Sequence, residues 1–316
     1  MASDLFQFIL GLAVLYVGAE LLVKGAVRLA QSFGVSPLLI GLTIVAFGTS
    51  TPELALDLTA AYKGAVDLAY GDLVGSNAAN IGLVLGAAAT IRSLAVPMGA
   101  IRIEVLIALA SALVLWVLSL DGEISRIDGA ILLIGFAVFI FYAYRQIRSE
   151  VRIAATEKSN SGSRSKRDRL VDLAMIVGGL LALIGGAQLM VGAAVRFAQA
   201  YGVSELVIGL TIVAIGTSLP ELATNVVAAI RNHAEIAVGN IVGSNIFNVL
   251  FVMGAVAQVR PLPVRGQSLS FDLPYMVGLT LALGLIMWRG SRVSRGEGML
   301  LLAAYAVFIF RQFWGG

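Results

Sequence analysis

The sequence predicts an all-α integral membrane protein: ten transmembrane helices in two inverted five-helix repeats, with broken helices at a central site. Three observations predict it: the number of apolar runs, a duplication within the chain, and one basic stretch at its midpoint. The chain has 316 residues, of which 59% are hydrophobic and 13% charged, and its mean hydropathy is +0.92. Soluble domains carry about 25% charged residues. A spanning helix needs about 20 apolar residues, and the apolar runs number ten: 5–30, 37–62, 68–91, 103–120, 127–144, 170–198, 204–230, 235–258, 269–288 and 298–313. The first run lacks a positive leader and an A-x-A-like cleavage site, so it reads as a retained span.

The duplication is read directly from the residues. GVSPLLIGLTIVAFGTSTPE at 34–53 recurs as GVSELVIGLTIVAIGTSLPE at 202–221, with 16 of 20 positions identical. GDLVGSNAAN at 71–80 recurs as GNIVGSNIFN at 239–248. Both pairs share an offset of 168, which extends back to Gly18-Ala19 against Gly186-Ala187. Five spans per half is an odd number, so the second copy must enter the bilayer from the opposite face. That is the inverted-repeat plan of secondary transporters, whose ion sites lie near the midplane where the repeats meet.

The basic stretch assigns orientation. Residues 145–169 hold Arg145, Arg148, Arg152, Lys158, Arg164, Lys166, Arg167 and Arg169 between two apolar runs. The positive-inside rule places this segment in the cytoplasm, and alternation then puts 16 of the 22 Lys and Arg inside and both termini outside. The predicted organisation is a first repeat over 1–144, a basic cytoplasmic loop over 145–169 and a second repeat over 170–316. The expected location is the plasma (inner) membrane of a prokaryote. Lipid is the expected surrounding, with no nucleic-acid partner and no obligatory protein partner.

The repeated motifs carry the chemistry. Polar side chains inside an apolar run are costly and usually functional, and each Gly-Thr-Ser-x-Pro-Glu motif lies inside one. Pro52 and Pro220 cannot donate to the carbonyls of Gly48 and Gly216. A break there is expected to free carbonyls of Ala46, Phe47 and Gly48, and of Ala214, Ile215 and Gly216. Thr49 and Ser50 precede Glu53 by four and three residues and so can share its helix face. Ser76 and Asn80 are four apart, as are Ser244 and Asn248. Hydroxyls, amide oxygens, carbonyls and the carboxylates of Glu53 and Glu221 make an all-oxygen set suited to hard cations such as Ca²⁺ and Na⁺. Softer metals seek imidazole or thiolate, and the chain has one histidine and no cysteine. His233 reads as an interfacial polar residue, Ser36 and Ser204 as helix caps, and Gly41, Gly75, Gly209 and Gly243 as packing positions. No arrangement of nucleophile and base suggests an enzyme, and no cofactor is expected.

At these residues the sequence resembles the sodium/calcium exchanger branch of the calcium/cation antiporter superfamily, of the prokaryotic type with two alpha-repeats. The resemblance rests on GTSTPE, GTSLPE, GSNAAN and GSNIFN and covers essentially the whole chain. It implies Ca²⁺/Na⁺ antiport through four central ion sites, one selecting Ca²⁺ and the others Na⁺. By position it implies ligands at Thr49, Ser50, Glu53, Ser76 and Asn80, and at Thr217, Ser218, Glu221, Ser244 and Asn248. Backbone carbonyls of Ala46 and Ala214 complete the set. It also implies that the first and sixth spans slide across the other eight. Some prokaryotic and potassium-dependent members carry Asp where this chain has Asn248, which implies potassium independence here and one carboxylate fewer. Asp57 and Asp72, opposite Asn225 and Asn240 in the other copy, read as solvated vestibule carboxylates or as proton-sensing or gating groups. The role of Glu20, opposite Gln188, is open. The rival readings are a proton-coupled antiporter of Ca²⁺ or another divalent cation, and a cation channel.

Overall fold

The computed structural model describes residues 2–157, 165–201 and 214–314. Helix α1 runs over Ala2–Phe33. A pair bent by 42° follows, α2 over Pro37–Thr49 and α3 over Thr51–Lys63. Next come α4 over Val66–Ile91, α5 over Met98–Leu118 and α6 over Arg126–Glu157. Helix α7 spans Lys166–Ala200. The short α8 over Ala214–Thr217 and α9 over Leu219–Ile230 succeed it. The chain closes with α10 over Ala234–Val259, α11 over Ser268–Gly290 and α12 over Arg295–Trp314.

Seven of these helices are long and apolar enough to cross a membrane, and the bent α2–α3 pair makes an eighth. The predicted run 204–230 is described only from Ala214 onward, so the cap expected at Ser204 and the packing role expected at Gly209 lie outside the described residues. The helices α6 and α7 outrun their apolar segments and carry Arg145, Arg148 and Arg152 on one and Arg167 and Arg169 on the other. At 1.5 Å per residue, about 32 residues reach about 48 Å, well beyond a hydrocarbon core of about 30 Å.

Two helices form the centre. The apolar window of α10 is 94% buried and that of α4 is 72% buried, against 22–39% for the other single spans. The outer helices expose large apolar side chains instead, among them Phe6, Ile134, Phe141, Leu181 and Trp288. In water such a belt would be a liability; against lipid it is the proper surface.

Close approaches repeat with the duplication. A Cβ on Gly11 would lie 2.8 Å from the carbonyl oxygen of Gly186, and one on Gly18 would lie 2.8 Å from that of Gly179. Helices α1 and α7 therefore run antiparallel with backbones nearly touching, as small residues permit in membranes. Gly86 meets the carbonyl of Gly298 on α12, and Gly254 meets that of Gly129 on α6. Gly41 and Gly243 pack on backbone of the facing element, as their sequence positions suggest, whereas Gly75 has open space about it.

Two small antiparallel ladders tie the helix ends. Strand β1 (Leu94–Ala95) pairs with β4 (Arg292–Val293), and β2 (Glu123–Ile124) pairs with β3 (Leu262–Pro263). Shifted by 168 residues, β1 becomes β3. Each ladder therefore joins one connection from the first half to the other connection from the second.

Local caps follow the sequence. Ser36 accepts from Leu39 N ahead of Pro37, while Glu150 on α6 accepts the Ser36 backbone N–H at 2.7 Å. Gly64 ends α3 at φ 84°, in the left-handed region that glycine tolerates. His233 sits half-buried at the start of α10 without a side-chain capping bond.

Candidate cation site

Both GTSxPE motifs break their helix in one manner. Ser50 leaves helical geometry at φ −88°, ψ 8°, and Ser218 does so at φ −86°, ψ 5°. The prolines follow in the first turns of α3 and α9, where a missing N–H costs nothing. Glu53 and Glu221 thereby fall in the first turns of new helices, whose dipoles favour negative charge. The second motif adds a matching irregularity: a π-helical turn starts at Asn80 in α4 and at Asn248 in α10. Such turns re-aim side chains inside a helix and recur at functional sites.

The breaks and π turns bring the two halves into contact through side chains. Ser50 Oγ donates to Glu221 Oε1 at 3.0 Å, and Thr49 Oγ1 donates to Asn240 Oδ1 at 3.2 Å. Asn80 Nδ2 donates to Asn245 Oδ1 at 3.0 Å, and Asn245 Nδ2 donates to the Asn77 carbonyl at 3.2 Å. Glu53 and Glu221 lie within electrostatic range of each other. The spacing of Thr49 and Ser50 predicts a shared face with Glu53; instead the break at Ser50 turns both hydroxyls toward the other half.

The carbonyls ahead of the first break already accept hydrogen bonds within their helix. The carbonyl of Ala46 accepts from Ser50 N at 3.0 Å and from Thr49 Oγ1 at 3.4 Å. That of Phe47 accepts from Thr51 Oγ1 at 2.8 Å, and that of Gly48 from Ser50 N. Pro52 withholds only the bond to Gly48, while Ala46 keeps its ordinary helical partner, Ser50 N. Ala214 opens α8, and its side chain lies outside the described set.

The remaining predicted residues are buried. Ser76, Ser218, Ser244, Asn80 and Asn248 have almost no exposed surface, and Thr217 Oγ1 donates to Asp72 Oδ1 at 3.5 Å. Burying polar atoms without partners is costly, and native structures avoid it except where a ligand, water or ion completes the bonding. Here the buried atoms without a partner include Glu53 Oε2, Glu221 Oε2, Ser218 Oγ, Ser244 Oγ, Asn80 Oδ1 and both amide atoms of Asn248. They are the residues of the repeated motifs. Among the described residues no three acidic or histidine side chains converge as one metal cluster.

Sequence reasoning passed over Asn77, Asn245 and Asn240, which join the halves, and Thr224 and Asn225, which are fully buried behind Glu221. The signal for Asn77 and Asn245 was present: both copies of the duplication keep Asn there, three residues before Asn80 and Asn248.

Known proteins share this architecture. The sodium/calcium exchanger protein family model matches residues 3–145 and 171–314. A putative antiporter CaxA of Alkalimonas amylolytica is 36% identical over 312 residues, covering 96% of this chain and 97% of that protein. The sodium/calcium exchanger MaX1 of Methanosarcina acetivorans is 32% identical, with 97% of each chain covered. A solved structure of the sodium-calcium exchanger NCX_Mj superposes with a TM-score of 0.84 at 34% identity, covering 98% of both chains. With the family matched across both halves of the chain, and a solved member superposing over nearly its full length, this integral membrane protein belongs to the sodium/calcium exchanger family.

Proposed function

We propose that the chain is a secondary antiporter that exchanges Ca²⁺ for Na⁺ across the membrane by alternating access. One observation carries this reading: buried, unpartnered oxygen atoms from both halves surround Glu53 and Glu221 at two matching helix breaks. The named exchangers among its relatives support the choice of ions.

The architecture behind this reading is ten spans in two inverted repeats. The exchanged strand pairing supports it, because β1 and its repeat mate β3 each pair with a strand of the other half. Alternation through ten spans puts the 94–95 and 292–293 connections at the cytoplasmic face together. It puts 123–124 and 262–263 together at the outer face. The ligands proposed are Thr49, Ser50, Glu53, Ser76, Asn80, Thr217, Ser218, Glu221, Ser244 and Asn248, with the carbonyls of Ala46 and Ala214.

Exchange follows from charge. With both glutamates ionised the pocket carries −2, and a charge exposed to hydrocarbon is expensive. One Ca²⁺ neutralises it, and two or three Na⁺ leave it neutral or at +1. Loaded states can switch sides while the empty state resists. Because both ions need the same carboxylates, each excludes the other. If three Na⁺ exchange for one Ca²⁺, the membrane potential adds about 2.3 kcal/mol per 100 mV to each turnover.

The test is Na⁺-gradient-driven ⁴⁵Ca²⁺ uptake in proteoliposomes. Glu53→Gln and Glu221→Gln should each lower the rate at least 100-fold. Undiminished flux in both variants removes the glutamates from the mechanism. Uptake driven by a proton gradient without Na⁺ would favour proton coupling, and flux without any counter-ion a channel.

A further inference from the structure

Two carboxylates outside the repeated motifs meet in the folded protein. Asp57 lies on α3, one turn beyond Glu53, and Asp72 lies on α4. Helices α3 and α4 are joined at Gly64, and the Asp57 and Asp72 carboxyl groups abut each other at hydrogen-bonding range. The equivalent positions in the second half, 168 residues on, hold Asn225 and Asn240. The first half thus carries two acidic side chains where its copy has two neutral amides, and the fold places both at one point.

Among the described residues no basic side chain pairs with either acid. Asp57 is 0% exposed, and neither of its carboxyl oxygens receives a hydrogen bond from a donor group. Asp72 Oδ1 takes the Thr217 hydroxyl from α8 at 3.5 Å, while Asp72 Oδ2 is buried without a donor. Among the described residues, ion pairs join Asp4, Glu20 and Asp67 to arginines, and neither Asp57 nor Asp72 is in one. The nearest charges are further acids: both aspartates act on Glu53, and Asp72 acts on Glu221. A buried carboxyl group stays ionised only beside a cation or a metal and otherwise holds a proton. Among the described residues no lysine or arginine pairs with either aspartate, so a bound cation would take the place of that proton.

We propose that Asp57, Asp72 and the Thr217 hydroxyl form a further cation site that takes a hard divalent ion of the Ca²⁺ class. Two carboxylates match one divalent charge, and an oxygen-only set selects hard over soft metals. The site stands between Glu53 and the end of the molecule that carries Gly64, about 6 Å along the helix from Glu53. Asp72 keeps partial exposure, which leaves a route for the ion. The neutral Asn225 and Asn240 deny the opposite approach an equivalent, so the site acts on one side of the exchanger only. It supplies carboxylate at the margin of a pocket where Asn248 supplies none. The proposal deepens the exchange reading, since it rests on Ca²⁺ being a transported ion.

The test is equilibrium binding of ⁴⁵Ca²⁺ to the purified full chain in Na⁺-free detergent solution. The double variant Asp57→Asn/Asp72→Asn installs the residues that the second half already carries. It should bind one Ca²⁺ fewer per chain than the parent, while Glu53→Gln/Glu221→Gln loses a different equivalent and retains this one. The single variants Asp57→Asn and Asp72→Asn should each weaken the same equivalent at least tenfold, which serves if the double variant does not fold. Parental stoichiometry and affinity in all the aspartate variants would overturn the site. Loss of ²²Na⁺ in place of ⁴⁵Ca²⁺ from the aspartate variants would overturn its divalent assignment. Because binding is read without any gradient, the result stands whether or not Na⁺-driven flux is found.

Discussion

Asn248 is fully buried and neither of its amide atoms has a hydrogen-bond partner. Its counterpart Asn80 spends its amide N–H on Asn245 and keeps only its oxygen unpartnered. One amino acid in equivalent positions thus makes two environments, because Asn245 turns to Asn80 whereas its counterpart Asn77 donates to the Leu73 carbonyl. An aspartate at 248 would add a charged oxygen where an amide now sits, and a charge-assisted contact is worth about 1.5–3 kcal/mol. Asn248→Asp should therefore tighten equilibrium Ca²⁺ binding about tenfold, or about 1.4 kcal/mol. Unchanged affinity would place Asn248 outside the coordination sphere. The serine and threonine hydroxyls could be named from the motif, but their partners could not. Thr49 and Ser50 bond across to Asn240 and Glu221, a choice made by the turn at Ser50 rather than by spacing.

Helices α1 and α7 meet through glycine and carbonyl contacts spaced seven residues apart. A leucine at Gly18 would push α7 away, and overpacking of this kind costs about 1–3 kcal/mol. Gly18→Leu should lower the thermal midpoint in detergent by several degrees and abolish transport; a parental midpoint would show that the helices do not need their close approach. The pair also touches the rest of the protein through an ionic contact. Glu20 on α1 accepts from Arg231, at the end of α9, at 2.6 Å. In the other half the corresponding residues are Gln188 and Lys63, which form no charge pair. Arg231 is 53% exposed and Glu20 is 25% exposed, so the bridge contributes at most about 1 kcal/mol to folding. Arg231→Ala should leave the thermal midpoint within a few degrees yet alter the rate of Na⁺-driven Ca²⁺ uptake. A large loss of stability would mean that the bridge is structural.

For the whole molecule, the absence of cysteine makes any introduced thiol a unique reporter. Asp121→Cys should react with a membrane-impermeant maleimide from outside intact cells. Ser161→Cys should react only after the cells are opened. Equal labelling of both would contradict the proposed orientation. The two strand ladders fit ten alternating spans inserted in either direction, since each joins connections that alternation would bring to one face, and the labelling decides the direction.

The sequence by itself determined the apolar runs, the duplication at 168 residues and the oxygen-rich motifs at Glu53 and Glu221. These are local properties: hydropathy marks a span, proline interrupts a helix, and self-similarity needs no coordinates. Only the tertiary structure decided that α4 and α10 are the buried centre and that Asn245 bridges to Asn80. It also decided that Asp57 meets Asp72 and that Glu20 finds Arg231. Those pairings join residues on different helices, and which faces meet is settled by how backbones approach at Gly18, Gly86 and Gly254. Side-chain partnership across a packed bundle is a property of three-dimensional proximity, which a list of residues does not contain.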